Sequence, residues 1–86
     1  MILKLFTQPN CSKCPTAKKL VDDLRLTLND LQIEEYDVTT VEGLAEASFY
    51  TVMATPSILV FDDDNKKVGD WRGQAPSKEE VLKALQ

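Results

Sequence analysis

Cys11 and Cys14 are the two cysteines of the 86-residue chain, three positions apart in Cys11-Ser12-Lys13-Cys14. Residues at i and i+3 lie one turn apart on one helix face, so these sulfurs can close a disulfide without unfolding anything. A thiol does redox work as its thiolate, which requires surroundings that favour negative charge. Cys11 falls where an apolar run hands over to a helical pattern. A sulfur there faces the unpaired N–H groups and positive dipole end of the helix. Lys13 lies between the cysteines, Lys18 and Lys19 come next, and the nearest acids on the segment, Asp22 and Asp23, come later. Lys18 and Lys19 read equally as a solvated helix face. The assignment is Cys11 as attacking thiolate, Lys13 as its electrostatic support and Cys14 as the resolving thiol.

Two further readings of the pair stand beside this one. A purely structural disulfide closes almost no loop here and stabilises little. Half of a metal site needs partners, because structural zinc takes four protein ligands. The chain has no His and no second cysteine pair, so only a dimer bridged by metal or an iron–sulfur cluster completes such a site.

The elements that position the cysteines are set by periodicity. Ile2-Leu3-Lys4-Leu5-Phe6 reads as a buried strand, broken by the turn chemistry of Thr7-Gln8-Pro9-Asn10. From Ser12, the residues Ala17, Leu20, Val21, Leu24, Leu28 and Leu31 form one helical stripe, and Pro15 suits a first helical turn. Ile33–Val38 is a second strand. Thr40 is placed to cap a helix carrying Leu44, Ala47 and Tyr50, with Gly43 weakening its first turn. Ser57–Phe61 is the clearest strand. Asp62-Asp63-Asp64-Asn65 turns the chain into a fourth strand through Val68 to Trp71. Ser77-Lys78-Glu79-Glu80 is a capping box ahead of Val81, Leu82 and Leu85. The order is β-α-β-α-β-β-α, with the first two strands parallel and the last two antiparallel.

Size and composition bound the rest. The chain reads as one domain over residues 1–86, since compact domains rarely split below about 150 residues. A net charge of −4, from 14 acids and 10 bases, argues against nucleic acid, whose binding relies on clustered Lys and Arg. There is no basic-then-apolar leader and no apolar run near the roughly 18 residues of a membrane span. The expectation is a soluble cytoplasmic monomer without a bound cofactor.

Thr55-Pro56, directly before the best strand, adds a second constellation. With Cys11-Ser12-Lys13-Cys14 it makes the chain resemble the thioredoxin superfamily, in its short glutaredoxin-like form, over essentially its whole length. The resemblance implies an α/β fold with a four-stranded mixed sheet flanked by three helices. It also implies that Pro56 is cis and faces the cysteines, and that the backbone at Thr55 pairs with a substrate segment as an added strand. The implied activity is dithiol–disulfide exchange on disulfide-containing proteins.

The departures carry information too. Leu5 stands about where thioredoxins keep a buried acid, so proton transfer from Cys14 relies on water or substrate. Trp71-Arg72-Gly73-Gln74-Ala75-Pro76 lacks the Gly-Gly turn and Asp with which glutaredoxins bind glutathione. Trp71, Gly73 and Pro76 instead match the Trp-x-Gly-x-x-Pro stretch of NrdH-redoxins, and small archaeal-type thioredoxins share the same plan. Trp71 reads either as core or as a docking surface for substrate. The resemblance implies reduction by a thioredoxin-reductase-type or ferredoxin-linked enzyme, with ribonucleotide reductase as a target. A glutathione-dependent glutaredoxin is the alternative.

Overall fold

The computed structural model describes residues 1–86. They form β1 (Ile2–Thr7), α1 (Cys14–Thr27), β2 (Gln32–Asp37), α2 (Val41–Phe49), β3 (Ser57–Phe61), β4 (Lys67–Arg72) and α3 (Lys78–Ala84). The order matches the one read from periodicity. The sheet runs β2-β1-β3-β4. β1 is parallel to β2 and antiparallel to β3, and β4 is antiparallel to β3. The parallel pair needs a long crossover, which α1 supplies.

Alternation along the strands divides the core between the two sheet faces. Leu3, Leu5, Ile58 and Val60 pack with Ala17, Val21 and Leu24 of α1 and Val81 of α3. Phe6, Leu59 and Phe61 pack on the other face with Ala47 of α2. Because helices cover both faces, β3 is buried along its whole length, which explains its unbroken apolar run.

Local signals hold at the turns. Asn65 has a φ of 62°, which closes the β3–β4 hairpin, and Asp62 accepts the Asp64 and Lys66 N–H groups at 2.9 Å each. Ser77 and Glu80 form the reciprocal capping box of α3.

Two stretches depart from the sequence reading. α1 starts at Cys14 rather than Ser12 and ends at Thr27, so Leu28 and Leu31 lie beyond it. Asn29 and Asp30 are turn formers. The Leu31 N–H donates to the Leu28 carbonyl at 3.3 Å, and Leu31 enters the core from that turn instead of from the helix.

In α2 the buried residues are Gly43 and Ala47, whereas Leu44 is 58% exposed. The cause is close approach. A Cβ on Gly43 would lie 1.8 Å from the Asp37 carbonyl oxygen, so glycine alone lets α2 sit this near the end of β2. Turning that line inward carries Leu44 outward. Thr40 completes the joint: its hydroxyl accepts the Gly43 N–H at 3.0 Å and donates to the Asp37 carbonyl at 2.7 Å.

Candidate active site

Cys11 and Cys14 are joined, with their Cα atoms 5.4 Å apart, within the ordinary range for a disulfide. Cys14 opens α1 and is 4% exposed. Cys11 lies in the turn ahead of it and is only partly buried. Asn10, with a φ of 63°, turns the chain into this position, a conformation asparagine tolerates.

The first turn of α1 has no side-chain cap and no acid. The Cys14 N–H goes to the Cys11 carbonyl at 3.3 Å, and Pro15 has none to offer. The positive end of a 14-residue helix is therefore left at the disulfide. Lys13 is the N-cap residue by position and is exposed. Lys18 has a counter-charge nearby. Asp37 is held below the usual carboxylate range by the Thr39 hydroxyl and N–H, with Lys18 adding its charge.

The Thr55-Pro56 loop emerges at the same end of the sheet. Register sets Phe6 opposite Ser57, so Thr7-Gln8, leading to Cys11, runs beside Pro56-Thr55. The Thr55–Pro56 peptide is cis. Neither the N–H nor the carbonyl of Thr55 pairs with another backbone group. Next to it opens a cleft of about 380 Å³, lined by Gln8, Val38, Leu44, Ala47, Val52 and Met53, with Ala54 and Thr55. Leu44 and the 90%-exposed Met53 form its apolar lip. A redox pair, an uncapped helix end and an unpaired strip of backbone thus share one end of the molecule.

The thioredoxin-domain family model matches residues 1–86. This chain belongs to the thioredoxin family. It is 32% identical over 83 residues to the thioredoxin of Methanocaldococcus jannaschii, covering 96% of this chain and 89% of that one. A probable thioredoxin of Archaeoglobus fulgidus is 36% identical over 62 residues, covering 72% and 67% respectively. The structure of thioredoxin 1 from Thermosipho africanus matches with a TM-score of 0.77 at 20% identity, covering 98% of this chain and 89% of that one. The protein is accordingly a disulfide oxidoreductase of thioredoxin type, and Cys11–Cys14 is its redox-active disulfide. Thioredoxins act on disulfide substrates and are returned to the dithiol by reductases.

Within this thioredoxin the other singled-out residues fall in different places. Leu5 is fully buried against α1 and α3, an apolar residue where the superfamily resemblance puts an acid. Trp71 pairs in register with Ile58 and packs on that same core. Its ring covers Gly69, where a Cβ would come within 2.5 Å of it. This puts Trp71, partly exposed, on the sheet face opposite the cleft, and it does not line that cleft. No group of three or more His, Cys, Asp or Glu side chains is arranged to hold a metal ion. No helix is long and apolar enough to cross a membrane.

Sequence reasoning missed two charged residues. Lys4 sits inside a strand that reads as apolar, yet alternation turns it to the α2 face with Phe6. There it pairs with Glu46, lies 3.6 Å from Glu34 and donates to the Tyr50 hydroxyl at 3.3 Å. Its ammonium also sits 4.9 Å from the centre of the Tyr50 ring. Burial pulls its pKa down, but bonds to Glu46 and Tyr50 outweigh this and hold the charge in place. Nothing local signals it. The other residue is Arg72, which pairs with Asp70 two residues earlier but also bonds two carbonyls distant in sequence.

Proposed function

We propose that this thioredoxin reduces disulfides in polypeptides that lie along Thr55 in extended form. An apolar side chain next to the substrate cysteine seats between Leu44 and Met53. The observation that carries the reading is Thr55 itself: a free backbone N–H and carbonyl beside an apolar cleft, at the end of the sheet that bears the disulfide. A segment adding there as a strand satisfies both groups.

In the reduced protein the Cys11 thiolate attacks one sulfur of the substrate disulfide, and the other substrate sulfur leaves as a thiolate. Cys14 then gives its proton to water and attacks the Cys11 sulfur. The intramolecular disulfide forms, the second substrate thiolate departs, and two electrons have moved to the substrate. Lys13 and the uncapped end of α1 favour the Cys11 thiolate. Pro56 forms the wall facing the pair.

The finer proposal is a cytoplasmic, single-domain monomer with no cofactor. A thioredoxin-reductase-type flavoenzyme or a ferredoxin-linked reductase recycles it, and ribonucleotide reductase is a target. The thioredoxin relatives and the Trp71-Arg72-Gly73-Gln74-Ala75-Pro76 sequence support this reading over glutathione. The experiment is a panel in which NADPH–thioredoxin reductase, a ferredoxin-linked reductase and glutathione each drive insulin reduction through this protein. Turnover with glutathione alone would overturn the proposed electron source.

A further inference from the structure

Arg72, the last residue of β4, reaches across to the end of α2. Its Nη1 donates to the Thr51 carbonyl at 2.6 Å and its Nη2 to the Tyr50 carbonyl at 3.1 Å. The Nε and Nη2 also grip the Asp70 carboxylate at 2.8 and 3.2 Å, and Lys67 holds Asp70 at 2.6 Å. A guanidinium fork fixed on one side by a carboxylate is aimed on the other, which a lysine cannot reproduce.

The carbonyls it holds belong to an unusual helix end. The Val52 N–H donates to the Ala47 carbonyl at 2.7 Å and the Thr51 N–H to the Ser48 carbonyl at 3.2 Å. This is a Schellman ending, whose left-handed residue is normally glycine. Here that residue is Thr51, with a φ of 56°, an unfavourable conformation for a β-branched side chain. Something must hold it, and Arg72 binds both the Thr51 carbonyl and the one before it.

Beyond Thr51 the chain enters its substrate-facing segment. Val52, Met53, Ala54 and Thr55 line the cleft, and the segment ends at the unpaired backbone of Thr55. The neighbour of Arg72, Gly73, ties the far side: its N–H donates to the Pro56 carbonyl at 2.9 Å. Arg72, which ends β4, and Gly73, which follows it, therefore hold both ends of the Thr51–Pro56 segment.

We propose that Arg72 is a positioning residue for disulfide exchange: by holding Thr51 left-handed, it sets where Thr55 presents its free backbone relative to Cys11. This rests on the reading of Thr55 as the edge that pairs with a polypeptide substrate.

The test compares two oxidised substrates, insulin and the small aromatic disulfide DTNB, which has no peptide backbone to pair. Wild type, Arg72→Ala, Thr51→Gly and the double variant are measured by steady-state kinetics. Arg72→Ala is expected to raise the KM for insulin about tenfold, on the scale of one or two net hydrogen bonds. Its kcat with insulin and its rate with DTNB stay within about twofold of wild type, because chemistry at Cys11 is untouched. Glycine adopts the left-handed conformation unaided, so the double variant matches Thr51→Gly alone. An insulin KM that does not move overturns the proposal, as does a parallel loss on both substrates. A double variant still as impaired as Arg72→Ala also overturns it. If Arg72→Ala alone does not fold, the double variant against Thr51→Gly decides by the same criterion. Wild type that reduces DTNB but shows no saturation with insulin removes the Thr55 reading instead.

Discussion

Cys14 lies behind Cys11: the two are bonded, yet Cys14 is 4% exposed while Cys11 is only partly buried. That difference supports the proposed order of attack, in which an incoming disulfide meets Cys11 first and Cys14 resolves. Replacing Cys14 with Ser should leave a protein that captures substrate as a stable mixed disulfide through Cys11. Replacing Cys11 with Ser should abolish insulin reduction. Mass spectrometry of the trapped adduct reads the first outcome and an insulin turbidity assay the second.

Gly43 is predicted to be the least replaceable residue of α2. In an exposed helix, alanine normally stabilises relative to glycine by about 0.5–1 kcal/mol. Here the added Cβ meets the Asp37 carbonyl oxygen at 1.8 Å, and backbone on both sides must shift. Gly43→Ala should therefore destabilise by about 2 kcal/mol or more, seen as a lowered urea midpoint with an unchanged slope. A stabilised variant would mean that α2 does not dock this closely.

Lys4 and Glu46 should behave as a coupled pair. Removing one charge of a largely buried ion pair strands the other, whereas replacing both with apolar residues is often neutral. Lys4→Met alone is expected to cost about 2 kcal/mol, reduced from fully buried cases because Glu46 keeps some solvent. Lys4→Met with Glu46→Leu should recover most of that loss. A double-mutant cycle in urea measures the coupling, and additive losses would show that the pair is independent.

Asp70 gives the Arg72 fork a pH limit. The Arg72 hydrogen bonds hold its carboxyl low, partial burial opposes them, and Lys67 adds to the lowering. A carboxyl with a folded pKa below its unfolded value of about 3.9 contributes stability above that pH. The contribution is lost as pH falls through the folded pKa, where both states bind the proton. Unfolding free energy should thus decline below about pH 4, and Asp70→Asn should flatten that decline while lowering stability at neutral pH. Urea midpoints from acid to neutral pH, wild type against variant, supply the measurement; equal acid slopes would refute the assignment.

Features that depend on a few neighbouring residues were legible in the chain alone. The spacing of Cys11 and Cys14, the Ser77–Glu80 capping box, the Asp62–Asn65 turn and the run Ser57–Phe61 each carry their own physics locally. Together they determined the element order, the disulfide chemistry and the end of the sheet that bears it. Tertiary structure decided which way each element turns. Leu44 belongs to the cleft, and not to the core, because Gly43 docks against Asp37 and sets the rotation of α2. Leu31 reaches the core from a turn for want of helix, and Trp71 packs over Gly69 because register sets it opposite Ile58. The Lys4 cluster and the hold of Arg72 on the end of α2 depend on partners more than twenty residues away. Periodicity reports that a residue is on a helix or strand; contact between elements decides what it faces.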